Sequence, residues 1–294
     1  MHLTTMIDWS NDDVAEVLDL AVQIKAHPEW FGNAFERKTL CLLFEKTSTR
    51  TRASFEAGVN RMGGHAMYLD ARTTQLGKQA VLKDEIRCIA RYVDAIASRV
   101  YKHESILTMA EYSRVPVINA LCDKYHPCQI LADLLTLKEK LGDLKGRKLC
   151  YLGDGNNVCN SLIVGCARVG MKIAVATPKG FEPLKEAVAE GRKAGVLELR
   201  TDPKRAAKDA DAVYTDTWVS MGQEAEAQER LKAFQGFQVT RELLGKAFFM
   251  HCLPLYRGQE VAEDVPELPQ SIIFDEAENR MHAQNAVLLK CLKA

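Results

Sequence analysis

One short polar segment combines several groups that bind anions. Residues 47–52 read Thr-Ser-Thr-Arg-Thr-Arg and follow closely on the apolar run at 40–44. At the start of a helix, the unsatisfied backbone N–H groups and the positive end of the helix dipole attract anions, and arginine can bind phosphate through two parallel hydrogen bonds. A simple helix cap beside surface arginines is the alternative. Four hydroxyls and two arginines in six residues favour a phosphate site.

Two further segments carry side chains that could recognise polar ligands. His126-Pro127-Cys128-Gln129 opens the longest predicted helix, where a proline suits the first turn and residues three apart share a face. The sequence leaves a structural and a functional role for His126 equally open. Residues 153–157 read Gly-Asp-Gly-Asn-Asn and resemble a dinucleotide-binding turn, but Val158 stands where that motif has its third glycine. The two amides could bind a carboxylate instead.

Three later segments place single reactive groups after predicted strands. They are residues 216–222 with Asp216, residues 251–254 with Cys252, and residues 278–280 with Arg280. A polar loop, a core cysteine and a surface charge would each explain one of them. All of them follow strands, however, and ligands of parallel α/β proteins bind beyond the carboxyl ends of strands. A common cleft is therefore expected.

The elements that must position these groups alternate along the chain. Strands are predicted at 40–44, 66–69, 95–100, 115–119, 148–152, 173–176, 197–199, 212–215 and 248–250. Helices are predicted around Phe55, Val59 and Met62, and at 80–92, 104–112, 128–141, 157–169, 183–194 and 280–293. This alternation predicts an α/β fold of two doubly wound parallel-sheet domains joined by long helices, with a boundary inside helix 128–141.

Composition excludes several functional classes. The 294 residues carry 39 Lys+Arg and 39 Asp+Glu, so the chain lacks the net basic field of a nucleic-acid or acidic-membrane binder. Nine cysteines without C-x-x-C spacing indicate a reduced chain rather than a disulfide framework or a zinc site. The N-terminus does not resemble a signal peptide and no apolar run is long enough to span a membrane, so a cytoplasmic protein is expected.

Four segments together resemble the signatures of the aspartate/ornithine carbamoyltransferase family. Segments 48–52 and 126–129 resemble its carbamoyl-phosphate signature, and segments 216–222 and 251–254 resemble its ornithine-specific one. The resemblance runs from about residue 2 to residue 293. It implies carbamoyl transfer from carbamoyl phosphate to the δ-amine of L-ornithine, giving L-citrulline and phosphate without a metal or cofactor. Such a reaction serves arginine biosynthesis or, in reverse, arginine degradation.

The resemblance also implies domains, an assembly and a donor site. A carbamoyl-phosphate domain would span 1–137, with helix 280–294 returning to it, and an ornithine domain would span 138–279. The common assembly is a homotrimer with shared active sites, in which Gln75 reaches a neighbouring subunit's site. The residues implied to hold carbamoyl phosphate are Ser48, Thr49, Arg50, Thr51, Gln75, Arg99, His126, Gln129, Cys252, Leu253 and Arg280.

Within these sets the resemblance implies separate roles. The catalytic residues would be Arg99, His126, Cys252 and Arg280, of which Arg99 and His126 polarise the carbamoyl oxygen. The residues implied to bind ornithine are Asn157 and the backbone of Met221, for its carboxylate, and Asp216 and Ser220, for its α-amino group.

Other interpretations remain open from the sequence alone. A related carbamoyltransferase could accept aspartate, putrescine or an N-acylated ornithine. The strand–G-x-G–helix pattern at 148–160 allows a dinucleotide-dependent oxidoreductase, and a non-catalytic paralogue would keep the same fold.

Overall fold

Two parallel β-sheets organise the chain. The computed structural model describes residues 1–77, 81–219 and 224–293. One sheet has the order β2-β1-β3-β4 and the other the order β7-β6-β5-β8-β9. The strands are β1 (Thr39–Phe44), β2 (His65–Asp70), β3 (Ala95–Arg99), β4 (Val117–Leu121), β5 (Lys148–Leu152), β6 (Lys172–Ala176), β7 (Leu197–Arg200), β8 (Ala212–Thr215) and β9 (Phe248–Met250).

Helices connect successive strands in both sheets. The α-helices are α1 (Asn11–Ala26), α2 (Thr49–Arg61), α3 (Leu82–Ile89), α4 (His103–Tyr112), α5 (Pro127–Leu141), α6 (Asn157–Val169), α7 (Lys185–Lys193), α8 (Pro203–Ala207), α9 (Ala227–Ala233), α10 (Arg241–Leu244) and α11 (Ile273–Lys293). Short 3₁₀ turns lie at Met6–Asp8, Pro28–Phe31, Ala71–Thr73, Gln75–Gly77, Glu224–Glu226 and Val265–Glu267. Among the helices described, none combines the length and the apolar character that crossing a membrane requires.

The chain forms two units, each with its own sheet. Unit 1 comprises residues 1–135 and 278–294, and unit 2 comprises residues 136–277. Both divisions fall inside long helices, α5 and α11. The predicted fold class, two parallel-sheet α/β domains, is confirmed.

The strand sequences explain why the polar segments gather at one edge of each sheet. Five of the six residues of β1 are buried, as expected for a parallel strand with both faces covered. In unit 1, β1, β3 and β4 are neighbours, so residues 45–52, 99–101 and 122–129 follow adjacent carboxyl ends. In unit 2, β5, β8 and β9 are neighbours, so residues 153–157, 216–219 and 251–254 do the same.

Several predicted boundaries differ from the observed ones by two residues or more. β4 begins at Val117 rather than at 115, because Pro116 has no N–H to donate and the Val115 amide bonds the Ser113 hydroxyl. Helix α11 begins at Ile273 rather than near 280, and its first turn carries Asp275 and Glu276, whose charges suit a helix N-terminus. Helix α3 is shorter than the predicted 80–92, and residue 80 lies outside the described residues.

Candidate active site

The start of α2 presents free backbone N–H groups beside hydroxyls. Ser48 is the N-cap residue, and its hydroxyl accepts a hydrogen bond from the Thr51 amide at 3.3 Å. The Ser48 Oγ also donates to the Thr51 Oγ1 at 3.0 Å. The amides of Thr49 and Arg50 lie in the first turn, where no preceding helical carbonyl is available. This helix end can therefore bind an anion through its backbone and its hydroxyls.

Arg280 joins this helix start to α5. Its Nη1 donates to the Gln129 Oε1 at 2.6 Å and its Nη2 donates to the Thr51 Oγ1 at 3.2 Å. Gln129 in turn donates its Nε2 to the Asp133 Oδ1 at 2.8 Å. All four side chains are buried, so the guanidinium is held in one orientation before any ligand binds.

His126 and Arg99 complete this group of side chains. Both are buried, at 4% and 6% exposure; Arg99 is the last residue of β3, and His126 follows β4. Burial, and then the charges of Arg280 and Arg99, hold the pKa of His126 well below its usual value of 6.5. His126 is therefore a neutral imidazole at neutral pH. We call Thr51, Arg99, His126, Gln129 and Arg280 the cationic cluster.

The two arginines of the 47–52 segment differ in their surroundings. Arg52 donates its Nε to the Glu56 Oε1 at 2.8 Å, and its guanidinium lies 4.0 Å from the centre of the Tyr68 ring. Arg50 is exposed at the helix start. Gln75 is likewise exposed, in the 3₁₀ turn Gln75–Gly77. Arg50 and Gln75, like the exposed Thr49, are thus predicted site residues at the surface of unit 1.

Asp216 is the centre of a second group of side chains, in unit 2. Its Oδ2 accepts from the Asn156 Nδ2 at 2.7 Å, and its Oδ1 accepts from the Thr217 amide at 2.8 Å and from the Cys252 Sγ at 3.2 Å. A carboxylate offers about four acceptor positions, and donors from the described residues occupy three of them. We call Asn156, Asp216 and Cys252 the carboxylate cluster.

Asn156, one of the two amides noted at 153–157, contacts Asp216, a role that its sequence did not predict. It is the N-cap of α6, and its Oδ1 accepts from the amides of Val158 and Cys159 at 3.0 and 3.1 Å. The same side chain donates to Asp216, whereas Asn157, the predicted ligand, occupies the first position of the helix. The Asn-Asn pair signals an amide at this helix start, but the sequence cannot say which of the two faces Asp216.

Arg230 is a second residue that sequence reasoning missed. It is 7% exposed, and its Nη1 donates to the Asp154 Oδ2 at 2.8 Å and to the Trp218 carbonyl at 3.2 Å. Its guanidinium lies 5.0 Å from the centre of the Phe181 ring. Burial raises the pKa of Asp154, and Arg230 opposes that rise. One guanidinium therefore ties together the segments that follow β5, β6 and β8.

Cys252 and Leu253 follow β9 on a constrained piece of backbone. Leu253 has a φ of 61°, which is uncommon for a residue with a branched side chain, and the peptide bond to Pro254 is cis. The Leu253 amide donates to the Nδ1 of His251 at 2.9 Å. Cys252 is part-exposed, and its thiol donates to Asp216. The predicted residues Asp216 and Cys252 are thus brought together.

Asp216, His251 and Cys252 also form a group of possible metal-binding atoms. One donor atom from each lies within 4.8 Å of the others. Spacing along the chain does not predict this group, because its members come from two segments more than thirty residues apart. Both nitrogens of the imidazole already face protein groups, however: Nδ1 accepts from Leu253, and Nε2 lies 3.3 Å from the Glu260 Oε1. That no metal is needed stays a prediction.

The glycines after β5 serve contacts within the chain. A Cβ at Gly155 would lie 2.3 Å from the Pro183 nitrogen and 2.6 Å from the Phe181 carbonyl oxygen. In a dinucleotide-binding turn, the corresponding glycine admits the pyrophosphate. Here the backbone of residues 181–183 fills that space, so the G-x-G pattern has a structural cause and does not support an oxidoreductase. Two predicted acceptor residues, Ser220 and Met221, lie outside the described residues.

The fold and the two clusters fit an α/β transferase that holds an anionic donor. Residues 1–139 match the aspartate/ornithine carbamoyltransferase carbamoyl-P binding domain, and residues 145–291 match the Asp/Orn binding domain of the same family. The chain belongs to the aspartate/ornithine carbamoyltransferase family. The resemblance noted from its four sequence segments is thereby confirmed.

Relatives of similar length match nearly the whole chain. The ornithine carbamoyltransferase of Methanoculleus marisnigri is 50% identical, over 98% of this chain and 96% of the relative. That of Methanocorpusculum labreanum is 47% identical, over 98% of this chain and 97% of the relative. The solved structure of ornithine carbamoyltransferase from Pyrococcus furiosus is 46% identical, with a TM-score of 0.93, and the match covers 98% of this chain and 95% of that one.

Proposed function

We propose that this chain transfers the carbamoyl group of carbamoyl phosphate to the δ-amine of L-ornithine, giving L-citrulline and phosphate. Its family and the names of its relatives support this activity. The single observation that carries the choice of acceptor is the carboxylate cluster. Asp216 is buried, and the three donors that it contacts among the described residues are all neutral, so its carboxylate is suited to an α-ammonium group.

The donor binds at the cationic cluster. Carbamoyl phosphate is an anion, and the start of α2 with Ser48, Thr49 and Arg50 offers amides, hydroxyls and a guanidinium to its phosphate. Arg99 adds a buried positive charge. Gln129 already accepts a hydrogen bond from Arg280, and its amide is assigned to the carbamoyl NH₂ group.

The chemical step needs no covalent enzyme intermediate. The neutral δ-amine attacks the carbamoyl carbon, the C–O bond to phosphate breaks, and phosphate leaves with the bonding electron pair. The proton lost by the amine goes to the departing phosphate. Negative charge develops on the carbamoyl oxygen, where Arg99, neutral His126 and the Thr51 hydroxyl can stabilise it. Catalysis is thus mainly orientation and charge stabilisation.

The protonation state of the acceptor sets the role of Asp216. An amine like that of lysine, with a pKa near ~10.4, is neutral in about one molecule in 2,500 at pH 7, which costs roughly 4–5 kcal/mol. A carboxylate beside the δ-amine would raise that pKa and increase the cost. Asp216 is therefore assigned to the α-amino group, with Ser220, and Asn157 and the Met221 backbone are assigned to the carboxylate. Cys252 and Leu253 are assigned to the space beside the δ-amine.

The proposal includes an assembly and a compartment. A homotrimer with shared sites would give the exposed Gln75 a role, because the side chain could then reach the phosphate site of a neighbouring copy. The nine cysteines, an odd number without C-x-x-C spacing, are typical of a protein in a reducing cytoplasm. Citrulline formation then places the chain in arginine biosynthesis, and the same residues would serve the reverse reaction.

A product assay with a panel of amines tests the proposal. Purified protein is incubated with carbamoyl phosphate and with ornithine, putrescine, N-acetylornithine or aspartate at one pH, and the carbamoylated product is identified by mass spectrometry. We expect citrulline, with kcat/KM for ornithine well above that for the other amines. Equal or better use of another amine would overturn the acceptor assignment, and no product with any amine would overturn the activity.

A further inference from the structure

Cys252 and Leu253 are assigned to the acceptor, but the residue before them has no role so far. His251 is fully buried, and so are the two carboxylates that face it, Glu260 and Glu276. A buried charged or polar group is costly unless it is paired, so three of them beside one loop require an explanation.

The hydrogen bonds of His251 define which ring nitrogen carries the proton. The Leu253 amide donates to Nδ1 at 2.9 Å, so Nδ1 must be unprotonated. A histidine whose Nδ1 accepts has its proton on Nε2, and that nitrogen lies 3.3 Å from the Glu260 Oε1. No hydrogen bond of regular geometry forms at that nitrogen among the described residues, but the neighbouring Glu260 carboxylate favours a proton there rather than on Nδ1.

The same residue is held at its backbone from another direction. The His251 amide donates to the Glu276 Oε2 at 3.0 Å, and the Glu276 Oε1 accepts from the Tyr214 hydroxyl at 3.1 Å. Glu260 is itself tied to the following loop, because its Oε1 accepts from the Tyr256 amide at 2.5 Å. Ring and backbone of His251 are thus fixed by side chains from α11 and from the loop after Pro254.

We propose that His251 is a positioning residue, which sets the backbone at Cys252 and Leu253 through its Nδ1 and is kept in the required tautomer by Glu260. Leu253 has a φ of 61°, a conformation that a leucine adopts only when its surroundings impose it. The hydrogen bond from its amide to His251 is one such constraint. That conformation presents the Cys252 thiol to Asp216 at 3.2 Å. The effect on turnover rests on the proposed function, whereas the tautomer does not.

A matched pair of variants separates this role from simple packing. In His251→Asn, the amide oxygen lies near the former Nδ1 and can still accept from Leu253. In His251→Gln, the amide lies near the former Nε2 and can still reach Glu260, but the Leu253 acceptor is lost. We expect His251→Gln to raise KM for ornithine about tenfold or more, with His251→Asn within about threefold of the native chain. KM for carbamoyl phosphate should be unchanged in both.

Equal effects of the two variants on KM for ornithine, or an equal rise in both KM values, would contradict the proposal. Thermal unfolding of both variants checks that each is folded. If His251 served only in packing, both variants would have a lower melting temperature but a similar KM for ornithine.

The tautomer of His251 can also be measured in the native protein, so this test does not depend on whether a variant folds. Long-range ¹H–¹⁵N correlation of the histidine rings, assigned by comparison with His251→Asn or by site-selective labelling, reports which nitrogen is protonated. We expect His251 to carry its proton on Nε2 alone near pH 7.5. A proton on Nδ1 would overturn the proposal even in a fully active enzyme. The expected tautomer in a protein that carbamoylates no amine would leave the inference intact and refute only the proposed function.

Discussion

The cationic cluster and the carboxylate cluster carry side chains of opposite charge. The first gathers Arg99, Arg280 and a histidine whose pKa is lowered by burial and then by those two charges, and it lies at a helix start. The second surrounds one carboxylate with neutral donors from Asn156, Thr217 and Cys252. A permanent cation is needed where the ligand is always an anion. In the proposed reaction the attacking amine must become neutral, and a single carboxylate assigned to the other end of the acceptor would be enough.

The two units also differ in how the chain builds them. Unit 2 is one continuous segment, whereas unit 1 needs residues 278–294 as well as residues 1–135. Arg280 comes from the returning segment and bonds Thr51 and Gln129 from the first. Assembly of the cationic cluster is therefore coupled to docking of α11, and assembly of the carboxylate cluster requires no such closure.

Removal of the carboxylate should have the largest effect. We expect Asp216→Ala to lower kcat/KM for ornithine by up to about 10⁴-fold, because a site built to hydrogen-bond its ligand loses that much when the partner is absent. Carbamoyl phosphate binding, measured by calorimetry, should persist. Asp216→Asn keeps an acceptor but loses the charge, so its kcat/KM for ornithine should lie between that of the native chain and that of Asp216→Ala. Loss of carbamoyl phosphate binding in Asp216→Ala would contradict the proposal that the cationic cluster binds the donor and the carboxylate cluster binds the acceptor.

The pH profile should report the acceptor and not the histidine. The neutral fraction of an amine with a pKa near ~10.4 rises about 100-fold between pH 6 and pH 8. The lowered pKa of His126 keeps the imidazole neutral across this range, so it adds no inflection. We expect log kcat/KM for ornithine to rise steadily from pH 6 to pH 8. An inflection near 6.5 that disappears in His126→Gln would show that the histidine titrates there.

The two arginines of one segment provide a matched test of the donor site. Loss of a charged hydrogen bond costs about 1.5–3 kcal/mol, so Arg50→Ala should weaken carbamoyl phosphate binding roughly 10- to 150-fold. Arg52→Ala is the control, because that side chain is engaged by Glu56 and Tyr68. Equal weakening by both changes, in folded protein, would argue against a specific phosphate contact from Arg50.

Recovery of activity in mixed assemblies should be a smaller effect. If Gln75 serves a neighbouring copy, mixing Gln75→Ala with Arg50→Ala and allowing subunits to exchange should restore part of the activity, because some sites then carry neither change. Native mass spectrometry checks that mixed oligomers form. Exchange without any recovery would refute the shared site, and a monomer in solution would refute the proposed trimer.

The sequence predicted the sheets well because their strands are continuous apolar runs. β1, β5 and β8 consist largely of such runs, and most of the polar segments singled out follow a strand in the structure. Residues 278–280 instead lie inside α11. The start of α11 was missed, because residues 273–279 carry three acidic side chains and look like a loop until their place at a helix N-terminus is known.

The parts of the candidate site that sequence could not predict depend on contacts between distant residues. Asn156 and Asn157 are alike in sequence, and only the cap geometry of α6 directs Asn156 to Asp216. Arg230 reads as an ordinary surface charge of a short helix, yet it is buried against Asp154, seventy-six residues away. Glu260 beside His251 is a similar case. Spacing along the chain gives no sign of such pairs.

The smallest expected effect concerns the closure of unit 1. Lys290 of α11 lies 2.9 Å from the Asp13 Oδ1 and 2.5 Å from the Glu16 Oε2 of α1. Hydrogen bonds from Lys290, and then from Ser10, lower the pKa of Asp13 from 3.8 to about 2. Because the folded pKa lies below the unfolded one, this stabilisation is full above about pH 4 and is lost as the pH falls towards 2.

We therefore expect Asp13→Asn to lower the free energy of unfolding by about 1–2 kcal/mol at pH 7, after allowance for solvent screening of a partly exposed pair. The difference from the native chain should shrink as the pH falls below 4, since native Asp13 then becomes protonated as well. Asp12→Asn, at the exposed neighbouring position in the first turn of α1, is the control and should change stability less. Urea unfolding at pH 7 and at pH 3 measures the free energy of unfolding of both variants and of the native chain. Because Arg280 lies on the same helix as Lys290, a loosened α11 should also weaken carbamoyl phosphate binding slightly and leave unit 2 unchanged. An effect of equal size in the Asp12 control would show that first-turn charge, rather than the contact with Lys290, stabilises this end of the unit.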